Sequence, residues 1–192
     1  MNENEEYFDV LDEDGVWTGE TITREQAHKY GIWHRAVLCF VVRENPGKAC
    51  EFQVLMTKRS INKKQWPGKW DAGAGGHVEA GDIGLFAQIR EFKEELDIVV
   101  LPEELRYIGC SRSNTSDGKI HNAHFNEYFV THKKIETADM KIQKEEVDEV
   151  KWMDYLELKQ MIIERSPDLT EKWNCYDVFT RYMDKYILKI GG

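Results

Sequence analysis

Residues 76–98 read GHVEAGDIGLFAQIREFKEELDI: a glycine-rich loop, an acidic turn and a carboxylate-dense segment in unbroken succession. From Ile83 to Leu96 the apolar positions Leu85, Ile89, Phe92 and Leu96 recur at helical spacing and predict an amphipathic helix with one buried stripe. Glu91, Glu94 and Glu95 stand at i, i+3 and i+4, and the same spacing places them on roughly the opposite side. Like charges within one turn cost several tenths of a kcal/mol per pair on an exposed helix, so three carboxylates are best tolerated where a cation neutralises them. Hard cations such as Mg²⁺ take oxygen ligands and bridge to substrate phosphates.

Over this stretch the chain resembles the Nudix hydrolase family. Its signature runs Gly, five residues, Glu, seven residues, Arg-Glu, an aliphatic residue, any residue, Glu-Glu, any residue, Gly and an aliphatic residue. Gly76, Arg90, Glu91, Glu94, Glu95 and Ile98 match it in type and spacing; Asp82, Phe92 and Asp97 depart from it. Asp is among the best N-caps, worth on the order of 1 kcal/mol over Ala, so Asp82 is expected to cap the helix. Asp97 is expected to end it in the left-handed conformation, at a cost of roughly 1 kcal/mol relative to Gly.

The resemblance implies an α/β/α sandwich around a mixed sheet. It implies Mg²⁺ as cofactor, with Mn²⁺ able to serve, bound by Glu91, Glu94 and Glu95 with help from the Gly76 carbonyl. The implied reaction is hydrolysis of a diphosphate bond in a nucleoside diphosphate linked to another moiety, or in a similar small diphosphate. Within the family the general base is a glutamate of the signature or one from a later loop, which here makes Glu94, Glu95, Glu145 and Glu146 the catalytic candidates. Arg90 is expected to orient the helix carboxylates.

The rest of the chain is compatible with one domain. At 192 residues and 41% hydrophobic it can bury one sizeable core. A net charge of −9 argues against broad binding to nucleic acid or to an anionic membrane, so a phosphate substrate has to be met locally. Cys39, Cys50, Cys110 and Cys175 are scattered, without metal-ligand spacing, and are expected to be reduced thiols. The acidic start MNENEEYFDV and the lack of a long apolar run predict a soluble, cytoplasmic protein.

In chain order, YFDVLDEDGVWTGETIT predicts two short strands around Asp14-Gly15, followed by a helix over Arg24 to Tyr30, capped by Thr23 and ended by Gly31. Residues 1–32 form an expected appendage to a main domain at 33–192, either covering substrate or forming a homodimer contact. Trp33 to Val42 is almost continuously apolar and predicts a strand buried on both faces, with Glu51 to Thr57 returning. KRSINKK, residues 58–64, is the one strongly basic run. Leu105 to Ser111, Ala123 to Val130 and Glu149 to Met153 predict further strands, with a polar loop at 111–122 over the pocket and two helices between Asp154 and Ile190. Trp33, Trp66, Trp70 and Phe125 are expected in the core, or stacked on a substrate ring. Strands around a central helix, with a helical tail, again suggest a mixed sheet between helices.

A second resemblance extends beyond the signature. WHRA, TKRSINKKQWPGKW, GGH and EVKWMD are similar to the isopentenyl-diphosphate isomerase branch of the superfamily. It implies diphosphate contacts from Arg59 and Lys63, metal-binding histidines at His28, His34 and His77, and an active-site acid at Glu127. That branch needs a cysteine where this chain has Gly75, and Phe125 replaces a second acid. Without a thiol acid to shuttle the proton, hydrolysis is the expected chemistry and isomerisation the alternative. A domain that binds a ligand or protein without turnover is the third possibility.

Overall fold

The computed structural model describes residues 5–48, 51–116 and 120–190. Cys50 lies outside them. The chain opens with a hairpin of β1 (Tyr7–Leu11) and β2 (Trp17–Thr23), then helix α1 (Arg24–Tyr30). Thr23 caps α1 by accepting the Gln26 amide, and Gly31 ends it in the left-handed region at φ 66°. A six-stranded mixed sheet follows: β3 (His34–Glu44), β4 (Phe52–Arg59), β5 (Trp70–Ala72), β6 (Arg106–Ser116), β7 (His121–His132) and β8 (Val147–Asp154). The order is β5-β4-β3-β7-β6, with β8 also paired to β4. β3 runs parallel to β7, and the remaining pairings are antiparallel.

Burial explains the apolar run in β3. Leu38, Phe40 and Val42 pack with Tyr155, Leu158, Tyr176 and Phe179 from helices α3 (Tyr155–Ile163) and α4 (Trp173–Ile190). Val37, Cys39 and Val41 pack on the other face with Ala87, Phe92 and Leu96 of helix α2 (Gly84–Leu96). A strand covered on both sides needs no polar alternation. The result is the expected α/β/α sandwich with a mixed sheet. Among the described residues, no helix is long and apolar enough to cross a membrane.

β3 and β4 pair only from Val42–Val54 to Glu44–Phe52 and then diverge. Residues 70–78 fill the gap: β5 pairs with β4, and the chain then turns to β3, where Cys39 N–H donates to the Ala74 carbonyl and Val37 N–H to that of Gly76. Glycine is required there. A Cβ at Gly73, whose φ is 68°, would stand 1.7 Å from the Cys39 carbonyl oxygen, and one at Gly75 would stand 2.3 Å from that of Val37.

Three expectations are corrected. Helix α2 starts one residue later than predicted and Asp82 is not its cap: Ile83 holds that position without a side-chain hydrogen bond, while the Asp82 carboxylate accepts only the Ile83 amide. The polar segment 111–122 is not a loop over a pocket. β6 and β7 pair out to Ser116–His121, because alternating polar side chains suit a half-exposed outer ladder. The turn residues 117–119 lie outside the described set. Asp97 does end α2 in the left-handed region, at φ 54°.

Candidate active site

Helix α2 presents its carboxylates differently from the expected arrangement. Gly84, Gln88, Glu91 and Glu95 lie at i, i+4, i+7 and i+11, one row of a 3.6-residue helix. Gly84 and Gln88 are buried, so Glu91 and Glu95 share their inward face. The Glu91 side chain is 12% exposed, whereas that of Glu94 is 53% exposed on the solvent side. The apolar stripe predicted through Ile89 is rotated accordingly, and Gln88 fixes it by donating its amide to the Ala74 carbonyl at 3.0 Å.

Glu91 packs directly over the glycine loop: a Cβ on Gly76 would stand 2.3 Å from its carboxylate. Arg90 organises this corner, donating to the His77 carbonyl at 3.2 Å and lying 3.2 Å from Glu79, 3.4 Å from Glu91 and 3.6 Å from Glu94. The loop at 143–147 returns to the same place, because the Gln143 amide donates to the last turn of α2 at Glu95, and Ser60 donates to the Glu146 carbonyl. Glu146 thereby joins Glu95 and Lys63, with which it forms an ion pair, at one crevice. Glu145 stays exposed, and Glu94 is drawn outward to Arg90.

Burial, with smaller contributions from neighbouring carboxylates, raises Glu91 to about 7 and Glu95 to about 8. Two inward carboxylates that ionise reluctantly make a fitting seat for a dication, which would remove their mutual repulsion. The Gly76 carbonyl, expected to assist a metal, has one lone pair committed to the Val37 amide.

Arg59 and Lys172 line the same crevice as Glu95 and Glu146. Arg59 donates to the Gln65 carbonyl at 3.1 Å and stands 4.0 Å from Asp71, while Lys172 pairs with Asp71 at 2.7 Å. Asp71 is buried and also accepts from Ala72, Thr170 and Tyr176. Burial pushes it upward, but Lys172 and Arg59 outweigh that and hold it below the ordinary carboxylate range. One buried anion therefore fixes two cations at the crevice. Lys172 and Asp71 went unrecognised in the sequence, since a lone Lys before a helix and an Asp in a three-residue strand carry no pattern. Of the aromatic candidates, Trp66 lies 6.0 Å from the Lys172 ammonium, Trp70 stacks under Lys151 at 4.2 Å, and Trp33 packs on Phe125.

Glu127 is elsewhere, in a cavity of about 430 Å³ between the start of α2 and strands β6 and β7, beside Arg35. His28, His34 and His77 meet one another and are joined by His124, which sequence reasoning missed. His34 and His124 are register partners across the parallel β3–β7 pair, a relation visible only once the sheet is known. Among the described residues, this is the one set of three or more ligand-type side chains whose donor atoms all lie within 4.8 Å of one another. Glu91, Glu94 and Glu95 do not close into such a set.

A model of the NUDIX domain matches residues 32–173. Nudix hydrolase 3 of Arabidopsis thaliana is 38% identical over 169 residues, which cover 85% of this chain and 21% of that protein, so the chain spans about a fifth of its length. An uncharacterized Nudix hydrolase of Clostridium acetobutylicum is 30% identical, covering 74% of this chain and 67% of its own. An isopentenyl-diphosphate Delta-isomerase of Escherichia coli is 28% identical, covering 78% and 77%. Among solved structures, a Deinococcus radiodurans protein has the same fold, with a TM-score of 0.67, 19% identity and coverage of 91% and 98%. The NUDIX domain of Shewanella oneidensis NrtR, solved with ADP ribose, has a TM-score of 0.58, 14% identity and coverage of 79% and 86%. With the domain match spanning most of the chain and the signature helix laid along the glycine loop, this protein belongs to the Nudix hydrolase family.

Proposed function

We propose that the chain is a Mg²⁺-dependent hydrolase, with Mn²⁺ able to substitute, that cleaves the diphosphate bond of a nucleoside diphosphate linked to another moiety or of a similar small diphosphate. The observation that carries this reading is the crevice where Glu95 and Glu146 face Arg59 and Lys172, with Lys63 paired to Glu146. Anionic oxygens suited to a dication and cations suited to phosphate stand within one site.

In this mechanism Glu91 and Glu95 would hold the metal, with Glu94 the third candidate ligand on the same helix, paired to Arg90 at 3.6 Å. When bound, the ion neutralises diphosphate charge and acidifies an attacking water. Arg59 and Lys172, already fixed by Asp71, receive the phosphate oxygens without ordering cost at binding. Glu146 takes the proton of the water as its oxygen bonds to phosphorus and the bridging P–O bond breaks. Lys63, paired with Glu146, holds that carboxylate in place at the crevice.

Gly75 separates this reading from isomerisation. The backbone of β3 occupies the space a thiol side chain would need, since a Cβ at Gly75 would stand 2.9 Å from the Leu38 Cα. The test is incubation with Mg²⁺ and a panel of nucleoside diphosphate derivatives with isopentenyl and thiamine diphosphates, the monophosphate products being separated and counted by chromatography. Turnover is expected for at least one member, with a loss of at least about 100-fold in Glu95→Gln. No turnover of any member, with metal affinity unchanged in Glu91→Gln and Glu95→Gln, would sink the hydrolase; conversion of isopentenyl diphosphate to its isomer would favour the alternative.

A further inference from the structure

His28 comes from α1, His34 from β3, His77 from the glycine loop and His124 from β7, so the four imidazoles converge from four separate segments. The Nε2 atoms of His28 and His77 lie 3.2 Å apart. His34 is fully buried, and its Nδ1 donates to the Ile32 carbonyl at 2.7 Å. That bond fixes the tautomer and leaves the Nε2 lone pair of His34 free. This Nε2 is buried without a partner, and so is the Nε2 of His124. A buried polar atom without a partner is destabilising, and two in one cluster of imidazoles call for an explanation.

Ring geometry points the same way. The centroids of His34 and His124 are 4.6 Å apart, those of His34 and His77 5.2 Å, and those of His77 and His124 5.2 Å. Phe8 closes one side, stacked on His34 at 4.7 Å and on His77 at 4.8 Å. A tetrahedral ion with Zn–N bonds of about 2.0–2.1 Å needs nitrogens roughly 3.3 Å apart. The His28–His77 pair already has that separation, and the whole set lies within 4.8 Å. The cluster contains no carboxylate. Imidazole-only donor sets suit Zn²⁺ and its neighbours, whereas Mg²⁺ and Mn²⁺ prefer oxygen.

We propose that His28, His34, His77 and His124 bind one Zn²⁺-type ion in a closed, four-nitrogen site that fastens α1 and the β1–β2 hairpin to the sheet. His124 is the ligand that neither the family signature nor the isomerase resemblance assigns. With four protein ligands no position is left for water or substrate, so this ion is structural and separate from the one proposed on α2. The N-terminal segment otherwise holds the signature loop through a few bonds, Ala80 to the Tyr7 carbonyl and Gly81 to Asp9 among them. A metal bond would add a cross-link between them.

The test uses the full chain stripped with chelator, reloaded with Zn²⁺ and washed, with bound metal counted and Co²⁺ absorption recorded for tetrahedral geometry. The expected result is one zinc per chain, a tetrahedral cobalt spectrum and a rise in melting temperature on loading. His124→Val and His28→Ala, each checked for folding by circular dichroism, are expected to weaken zinc by more than about 100-fold and to abolish the rise. Glu91→Gln with Glu95→Gln is expected to keep the full zinc content. Failure of the native protein to retain zinc, undiminished zinc in both histidine variants, or loss of zinc in the glutamate variant would overturn the proposal. None of these readouts depends on turnover, so they stand apart from the hydrolase test.

Discussion

Asp71 shows how much of the site rests on one residue that takes no part in chemistry. It lies in the interior with five partners and faces two cations, so its charge is compensated only while both remain. Lys172→Met leaves that carboxylate buried and half-paired, and removing one member of a buried pair typically costs about 3–5 kcal/mol. Part of this is lost because the Lys172 side chain is 30% exposed, so a drop of about 2 kcal/mol in urea denaturation is expected. Adding Asp71→Asn to Lys172→Met is expected to recover most of that stability but not the KM for a diphosphate substrate. Recovery of both would show that Lys172 only neutralises Asp71.

At the scale of the element, helix α2 carries its departures from the family pattern at its ends. Asp97 holds a left-handed conformation that Gly adopts at no steric cost, and it is repaid by ion pairs with Lys93 and, at 3.3 Å, Lys141. Releasing the strain gains roughly 1 kcal/mol, while exposed pairs are worth about 0.3–0.5 kcal/mol each. Asp97→Gly is therefore expected to stabilise the protein slightly, by a few tenths of a kcal/mol, in equilibrium unfolding; a clear loss would mean that the pairs dominate. The existence and end of this helix were legible in sequence, since Phe92 and Leu96 set its period and Asp97 its stop. Its rotation was not. Spacing placed Glu91 and Glu95 opposite the apolar stripe, but Gln88 and Gly84 decide the buried row through contacts with the glycine loop and Glu127. The long β6–β7 ladder was hidden for a related reason: its polar residues are stabilised by pairing, which composition does not register.

For the whole molecule, two groups of buried ionisable residues pull stability in opposite directions with pH. Burial lowers His28 and His34 to about 4, and holds His77 and His124 well below the ordinary histidine range. The unfolded chain thus binds more protons below about pH 6.5, and stability falls as pH drops from there toward 4. Glu91 and Glu95, raised to about 7 and about 8, have the reverse effect: the folded state binds more protons above their ordinary range, so stability falls as pH rises. Across pH 7–8 the histidines are largely neutral in both states and the glutamates dominate. Chelator-treated protein is expected to melt at a lower temperature at pH 8 than at pH 7, and saturating Mg²⁺ is expected to remove most of the difference. An unchanged gap with Mg²⁺ would show that the carboxylates do not receive the ion.

The segment laid between the diverging strands β3 and β4 sets where the chain can change length. Gly73 and Gly75 must each face a carbonyl of β3, while Met56, Thr57 and Lys58 pair with the preceding three residues from the other side. An inserted or deleted residue between Trp70 and Val78 would move a side chain into one of those carbonyls and shift His77 and Glu91 together. Length changes are expected instead outside this stretch, in the exposed turn at Asn45–Lys48, away from the crevice.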